Sequence, residues 1–170
     1  MLIAETPRLR IRKYTPADAA FILELLNSPP FLQNVGDRKI RDLAAAEAYL
    51  QKGALADYAQ RGYGSYLVEH RADKQPIGRC GFIKRDFLEA VDIGFAFLPG
   101  YLGQGYGSEA AQAVLDYGLA TYGLRDIMGI VQPTNQASIA LLQKLGLRFE
   151  RTFTFPEEET PMHLYRLKIL

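Results

Sequence analysis

Three strand-like segments joined by very short turns occupy the middle of this chain and limit the folds open to it. The segments cover residues 63–70, 77–84 and 90–98, and the turns lie at residues 72–75 and 85–89. Parallel neighbours need a crossover of a dozen or more residues, so connections this short force adjacent strands to run antiparallel. The sequence therefore predicts an antiparallel meander within a sheet.

Helix and strand patterns flank the meander on both sides. Residues 9–14 alternate apolar and basic side chains, which predicts a strand with one buried face. Thr15 and Pro16 then open a helix that Pro29 ends. The other predicted elements are a helix at 41–61 that is either continuous or broken at Gly53, a helix at 108–122, a strand at 126–131, a helix at 135–145, and strands at 149–155 and 163–169. This order indicates one α+β domain over residues 1–170, a mixed α/β arrangement with helices on the faces of a mixed sheet.

Charge balance and cysteine content exclude several classes of partner and site. The 20 Lys and Arg against 19 Asp and Glu give a net charge of +1, which leaves no overall field to attract nucleic acid or an acidic membrane. The single cysteine, Cys80, excludes a disulfide framework and a cysteine-based metal cluster, and His70 and His163 lie far apart in sequence. No secretory signal or apolar span is recognisable. We therefore expect a cytoplasmic protein with no metal, nucleic-acid or membrane partner.

Alternate glycines lie where the meander leads into the helix predicted to begin at Ser108. These are Gly103, Gly105 and Gly107. Glycines at this spacing let the backbone approach a ligand closely, and a helix N-terminus adds free N–H donors and partial positive charge. Together they predict an anion site suited to a phosphate or pyrophosphate. The structural alternative is a local turn capped by Ser108, although three spaced glycines exceed what a cap requires.

Two common phosphate loops fit this segment poorly. A P-loop has Gly-Lys-Ser/Thr at the helix start, whereas this chain has Tyr106-Gly107-Ser108 and no lysine. A dinucleotide fingerprint needs G-x-G-x-x-G within a parallel βαβ unit, but here the third glycine comes one residue early and the preceding strand belongs to the meander. A nucleotide-binding module is therefore the weakest functional alternative.

The glycine loop and three other segments together resemble the GNAT acyltransferases. The loop is similar to that family's acetyl-coenzyme A loop, Gln/Arg-x-x-Gly-x-Gly/Ala, and residues 135–138 with 142–147 are similar to its second motif. Residues 6–12 and 92–95 resemble the branch of ribosomal-protein N-terminal acetyltransferases. The resemblance covers nearly the whole chain. It implies a three-layer fold with a mostly antiparallel sheet of about seven strands, splayed between the fourth and fifth strands, and with the cofactor in the opening.

The resemblance also implies which residues bind acetyl-CoA, the co-substrate. Backbone groups of Phe95, Phe97 and Leu98 would pair with the pantetheine, and Asn135 and Ser138 would reach its arm. The expected pyrophosphate ligands are the backbone amides of Gly103, Gln104, Gly105, Tyr106, Gly107 and Ser108. The chain departs from the family's loop motif at its Gln/Arg position, which is Leu102; the neighbouring Gln104 would partly substitute.

Amine attack on a thioester needs a neutral amine, a polarised carbonyl and a proton for the leaving thiolate. Many family members take that proton from a tyrosine at the position that is Leu142 here. The resemblance to the ribosomal-protein branch instead implies Ser138 as the acid. Asp92 is the first candidate for the base and Glu157 the second.

Each of these three candidates also has a purely structural interpretation. Ser138 would bond its own backbone at the start of a helix. Asp92 would pair with Arg79 or Arg85, and Glu157 would belong to a solvated acidic turn. A base is unnecessary if water relays the proton.

The resulting functional hypothesis is an acetyl-CoA-dependent N-acetyltransferase. The acetyl group would pass to a primary amine by direct attack in a ternary complex, with the pyrophosphate held by the Gly103 to Ser108 loop. The acceptor stays open between a protein N-terminus, an amino acid, a polyamine and an antibiotic, and the protein would be a monomer or a homodimer. The alternative is a noncatalytic acyl-CoA-binding or sensor domain of the same fold, because the usual tyrosine acid is missing.

Overall fold

One eight-stranded sheet, with strand order β1-β2-β3-β4-β5-β6-β8-β7, organises the computed structural model, which describes residues 1–170. Every neighbouring pair is antiparallel except β5 and β6, which run parallel. The strands are β1 Leu2–Glu5, β2 Leu9–Lys13, β3 Ser65–His70, β4 Pro76–Ile83, β5 Val91–Phe97, β6 Asp126–Val131, β7 Arg148–Phe153 and β8 Met162–Lys168. The predicted meander is β3-β4-β5, and it lies in the middle of the sheet.

The sheet has one strand more than predicted. The additional strand, β1, is a four-residue edge strand that pairs with β2 across a register shift between Leu2 and Ala4. Four residues are too few to show the alternation of apolar and polar side chains by which a strand is recognised in a sequence. Because it precedes the others, the junction predicted between the fourth and fifth strands is the β5–β6 junction here.

Six α-helices cover the sheet, and one of them, α2, was not predicted. They are α1 Ala19–Leu26, α2 Pro29–Asn34, α3 Leu43–Leu50, α4 Ala56–Arg61, α5 Tyr106–Tyr122 and α6 Gln136–Lys144. Pro29 begins α2 rather than only ending α1, because proline is compatible with the first turn of a helix. A π-helical turn at Gln51–Leu55 carries the chain through Gly53 without a break. No helix is both long enough and apolar enough to cross a membrane.

Helix α5 begins two residues before the predicted start. Its N-cap is Gly105, whose φ of +82° lies in the left-handed region. Ser108 is therefore inside the first turn and does not cap the helix, so the interpretation of this segment as a serine-capped turn is wrong. The C-terminal end follows the prediction, with Gly123 at φ +64° closing the helix.

Apolar clusters on both faces of the sheet produce the predicted three layers. On one face α5 packs against the meander, so closely that a Cβ added at Gly118 would lie 2.6 Å from the ring of Phe82. On the other face α1 and α3 bury Leu25 and Leu50 against Leu67 of β3. The sheet is thus covered by helices on both faces, and it opens at the junction between β5 and β6.

The sheet opens because β5 and β6 pair over only two positions. Val91 faces Ile127 and Asp92 faces Met128, and beyond these positions the two strands continue without pairing. β5 runs on to Phe97 and β6 to Val131. Two parallel strands that share only their first residues diverge into a V, which is the splayed geometry predicted from the resemblance.

Candidate active site

A cleft of about 650 Å³ occupies the V between β5 and β6. Its walls are the glycine loop, the start of α6, the helix α2 and the segment between β7 and β8. Its floor carries small residues of the meander, among them Gly81, Gly94 and Ala96. The cleft therefore offers a channel across the sheet, with the N-terminus of α5 at one end.

The glycine loop has an unbroken run of free backbone donors, and all of its residues from Gly103 to Ser108 except Gln104 line this cleft. None of the N–H groups of the six residues from Gly103 to Ser108 donates a hydrogen bond to another group of the chain. Positive φ angles at Gly103 (+71°) and Gly105 (+82°) produce the turns that free them. Free N–H groups at a helix N-terminus can donate hydrogen bonds to a phosphate or pyrophosphate, and the helix dipole favours its negative charge.

Gly107 has a different role from the other two glycines. Its φ is not positive, but a Cβ placed on it would lie 2.9 Å from Cδ1 of Leu141 in α6. A side chain at this position would have to displace the Leu141 side chain, because α5 and α6 approach each other closely, and this approach brings the beginnings of both helices to the same cleft.

Thr6 and Arg8, from the start of the chain, brace the loop. The guanidinium of Arg8 donates from Nε to Oε1 of Glu109 at 2.8 Å and from Nη1 to the carbonyl oxygen of Gln104 at 2.9 Å, and it lies 4.2 Å from the centroid of the Tyr106 ring. The Thr6 hydroxyl donates to the other oxygen of the same carboxylate. Although burial alone would raise the pKa of Glu109, these donors lower it below its usual value. Residues 6–12 carry part of the family resemblance, but the sequence did not predict their contact with the loop.

The side chain of Gln104 and the backbone N–H of Leu98 form hydrogen bonds within the chain instead of pointing into the cleft. The Gln104 side chain donates from Nε2 to the carbonyl oxygen of Gly100 at 2.9 Å, within the loop itself. The N–H of Leu98 donates to the carbonyl oxygen of Ile77 on β4 at 2.9 Å. Neither residue lines the cleft, whereas Leu102 does. The role expected of the Gln104 side chain, to substitute for the absent Gln/Arg, is therefore unsupported.

Phe95 and Phe97 have backbone groups on the open side of β5. In an antiparallel ladder, alternate residues of a strand direct both N–H and C=O toward the partner. Since Leu98 bonds to β4, the backbone polar groups of Phe97 and Phe95 point the other way, into the opening. An extended ligand there could pair with β5 as an added strand does.

Asn135 and Ser138 lie together at the first turn of α6. The Oδ1 atom of Asn135 accepts from the N–H of Ser138 at 3.2 Å, so Asn135 is the N-cap of the helix. The Ser138 hydroxyl has no hydrogen-bond partner in the chain, and both residues line the cleft. Leu142, one turn on, is buried over Gly129 of β6. A polar group at this end of the cleft is therefore available from Ser138 and not from position 142.

Asp92 lies at the last position where β5 pairs with β6, and it lines the cleft. It is 3% exposed, and Nε of Arg85 donates to its Oδ1 at 3.0 Å. Burial raises the pKa of Asp92 above its usual value, while Arg85 acts in the opposite direction. Of the two partners that the sequence suggested, Arg79 and Arg85, the structure pairs Asp92 with Arg85.

Glu157 lies on an exposed turn between β7 and β8, with a φ of +65°. It does not line the cleft, but the next residue, Glu158, does. The structure therefore brings Asp92 and Ser138 to the cleft and leaves Glu157 outside its lining.

The comparison with known proteins agrees with this geometry. The family described as "Acetyltransferase (GNAT) domain" matches residues 8–148. YnaD of Bacillus subtilis strain 168, named an uncharacterized N-acetyltransferase, is 30% identical over 148 residues, which cover 87% of this chain and 84% of YnaD.

Solved structures show the same fold. A GNAT-family acetyltransferase from Bacillus anthracis superposes with a TM-score of 0.80 at 26% identity, covering 99% of this chain and 98% of the other. The ribosomal L7/L12 alpha-N-protein acetyltransferase RimL, solved in complex with coenzyme A, reaches a TM-score of 0.84 at 20% identity, with 99% and 98% coverage. With a family match over most of its length and the splayed sheet and glycine loop described above, this chain belongs to the GNAT family and is an acetyl-CoA-dependent acyltransferase.

Proposed function

We propose that the chain transfers the acetyl group of acetyl-CoA to a primary amine by direct attack within a ternary complex. The observation that carries this proposal is the run of six free N–H donors from Gly103 to Ser108 at the mouth of the V-shaped cleft. They supply the binding of a pyrophosphate that a chain of net charge +1 cannot supply through an overall field. The open side of β5 at Phe95 and Phe97 supports the binding of the pantetheine, with Asn135 nearby.

Two side chains of the cleft have the proton chemistry that the transfer needs. The amine nitrogen forms a bond to the thioester carbonyl carbon, the C–S bond breaks, the amine loses a proton and the thiolate gains one. Asp92 serves as the base, directly or through water, because burial raises its pKa toward the range useful for a base. Ser138 serves as the acid, because its hydroxyl is uncommitted and lines the cleft.

The experiment is a thiol-release assay with acetyl-CoA and a panel of primary amines, run on the wild-type chain and on Ser138→Ala. We expect turnover of some amines by the wild type. In the variant, kcat should fall by about 10²-fold, because an acid of this kind contributes about that much. Acetyl-CoA affinity, measured by calorimetry, should change little.

Ser28→Ala is the matched control, because Ser28 is buried and donates its hydroxyl to the carbonyl oxygen of Leu25 outside the cleft. It should leave kcat unchanged. Binding of acetyl-CoA without turnover of any amine would contradict the proposed reaction, and an unchanged kcat in Ser138→Ala would remove Ser138 from it.

A further inference from the structure

The most unusual charge in the cleft is Arg79, which has no acidic partner. Most arginines of the chain form ion pairs, including Arg85 with Asp92 in the same cleft. Arg79 instead donates from Nη1 to the hydroxyl of Tyr49 at 2.9 Å, and its guanidinium lies 5.0 Å from the centroid of the Phe31 ring. An arginine has five donors, so most of those on Arg79 stay available at the wall of the cleft.

A second cation strengthens this positive end of the cleft. Arg38 lines the same cleft, forms no ion pair, and lies near the Tyr49 hydroxyl. Burial alone would raise the pKa of Tyr49, yet Arg79 and Arg38 lower it below its usual value. A buried phenol that ionises more easily than usual reports a net positive potential around it.

Arg79 does not serve the phosphates of the cofactor. Its side chain contacts Phe31 of α2 and Tyr49 of α3, which cover one face of the sheet. Helix α5, which begins at the glycine loop, packs on the other face, where Cys80 and Phe82 point. The arginine therefore lies on the side of the sheet opposite the pyrophosphate loop, beside a floor of small residues.

We propose that Arg79, assisted by Arg38, binds a carboxylate of the acceptor, so that the acceptor is a primary amine that also carries a carboxylate. The proposal rests on the acetyl transfer proposed above and specifies its substrate class. A guanidinium can hold a carboxylate through two parallel hydrogen bonds, and a partly desolvated arginine without a counter-ion gains from such a ligand. The same two cations disfavour polyamines, because a like charge would lie against them.

A free carboxylate on another wall is compatible with such an acceptor. Glu158, on the segment between β7 and β8, lines the cleft and forms no ion pair. The cleft thus has unpaired cations at Arg79 on β4, at Arg38 between α2 and α3 and at Lys144 at the end of α6, and one unpaired anion on the β7–β8 segment. An amine that carries its own carboxylate presents both of the complementary charges.

The test uses matched amines on the full chain. Each amino acid is compared with its carboxamide and with the amine left after removal of the carboxylate, and peptides with an acidic second residue are compared with their amide counterparts. Binding to the enzyme saturated with CoA is measured by calorimetry, independently of turnover, and KM and kcat are measured where turnover occurs. We expect the carboxylate-bearing member of a pair to bind about tenfold to a hundredfold more tightly. A preference seen with the amino acids, the peptides or both shows whether the carboxylate belongs to a free amino acid or to the second residue of a peptide.

Variants identify the arginine responsible. Arg79→Gln should remove most of the preference by raising KM while leaving kcat nearly unchanged, and Arg79→Lys should restore part of it, since lysine keeps the charge but not the fork of donors. Arg38→Gln, at an exposed position, should weaken the preference less. Arg61→Gln is the control, because Arg61 pairs with Asp57 on α4 outside the cleft and should have no effect.

Three results would overturn the assignment. They are equal or tighter binding of the uncharged member of each pair, a preference for polyamines, and a loss of acetyl-CoA affinity in Arg79→Gln. Turnover confined to amines without a carboxylate would reject this substrate class while supporting the acetyl transfer. Carboxylate-dependent binding without any turnover would support the class while rejecting the transfer.

Discussion

Asp92 occupies the last residue pair before β5 and β6 separate, and burial at this position raises the pKa of its carboxyl group. The carboxyl group is nearly inaccessible, so the charged form loses hydration, and Arg85 compensates only in part. A carboxyl group with a raised pKa is a better proton acceptor than an ordinary surface aspartate at neutral pH. The same burial makes the group sensitive to any change at Arg85.

The pH dependence of the reaction tests this role. If the ionised Asp92 accepts the proton, kcat/KM should rise with pH through a pKa above the ordinary aspartate range, because the protonated form is inactive. Asp92→Asn should lower kcat/KM by about 10²-fold and abolish that acid limb. Arg85→Gln should move the limb to higher pH, because it removes the group that lowers the pKa of Asp92.

Asp126→Asn provides the control for this measurement. Asp126 begins β6 and pairs with Arg166 outside the cleft, and this pairing lowers its pKa. The acid limb should be unchanged in this variant. An acid limb that persists in Asp92→Asn would show that another group, or water alone, takes the proton.

At the scale of the element, the glycine loop and the first turn of α5 form one unit that the start of the chain holds in place. Gly105 starts the helix with a left-handed residue, and Glu109 in its first turn is bound by Thr6 and Arg8 from more than a hundred residues earlier. Glu109 thus carries negative charge at a helix N-terminus, where it is favourable, and also fixes the loop to the turn between β1 and β2. The free N–H groups are preorganised and need little ordering when a phosphate binds.

Replacing a glycine by glutamate at each end of α5 distinguishes a loss of ligand binding from a loss of stability caused by backbone strain. Gly105→Glu should abolish acetyl-CoA binding, because it places a carboxylate and added bulk among the phosphate donors. Gly123→Glu is matched to it in backbone strain, since φ is +64° there against +82° at Gly105. A Cβ would meet nothing within 4 Å at Gly123 and only the end of the Arg8 side chain, at 3.3 Å, at Gly105. Both variants should lose about 1–2 kcal/mol of stability from the left-handed residue.

Calorimetry with acetyl-CoA gives the comparison. We expect binding to survive in Gly123→Glu and to be lost in Gly105→Glu. Retained affinity in Gly105→Glu would mean that the loop is only a turn that starts the helix.

At the scale of the whole molecule, the sheet is incomplete where the ligand would lie. β5 and β6 share two pairs of residues and then diverge, which leaves backbone groups of β5 without strand partners inside a cleft of about 650 Å³. A ligand that bridges the opening would join the two halves of the sheet. Binding should therefore stabilise the fold as well as supply the acetyl group.

Thermal unfolding measures this coupling. Acetyl-CoA at about 100 times its Kd should stabilise the chain by about 2.7 kcal/mol, which corresponds to a rise in Tm of roughly 5–11 °C for a chain of this size. Pantetheine, which lacks the pyrophosphate, should shift Tm less at the same concentration, and Gly105→Glu should show no shift with acetyl-CoA. An equal shift with pantetheine would assign the binding energy to β5 rather than to the loop.

The parts of the fold that could be predicted are those with strong local signals. The meander followed from turns too short for parallel strands, and α5 followed from its buried stripe and from Gly123. The four residues of β1, the start of α2 at Pro29 and the π-helical turn at Gln51–Leu55 were not predicted. β1 is too short to show a pattern, Pro29 is compatible with the start of a helix as well as with the end of one, and nothing in the local sequence marks a π-helical turn.

The sequence by itself determined the family, the position of the glycine loop and the absence of an overall field, because spaced glycines and short turns act through local backbone geometry. Only the tertiary structure decided which side chains share the cleft. The contact of Arg8 with Glu109 and that of Arg79 with Tyr49 join residues far apart in the chain. The structure also selects Arg85 rather than Arg79 as the partner of Asp92. Charges acquire their function from burial and from the partners they meet, and both exist only once the sheet has formed and split between β5 and β6.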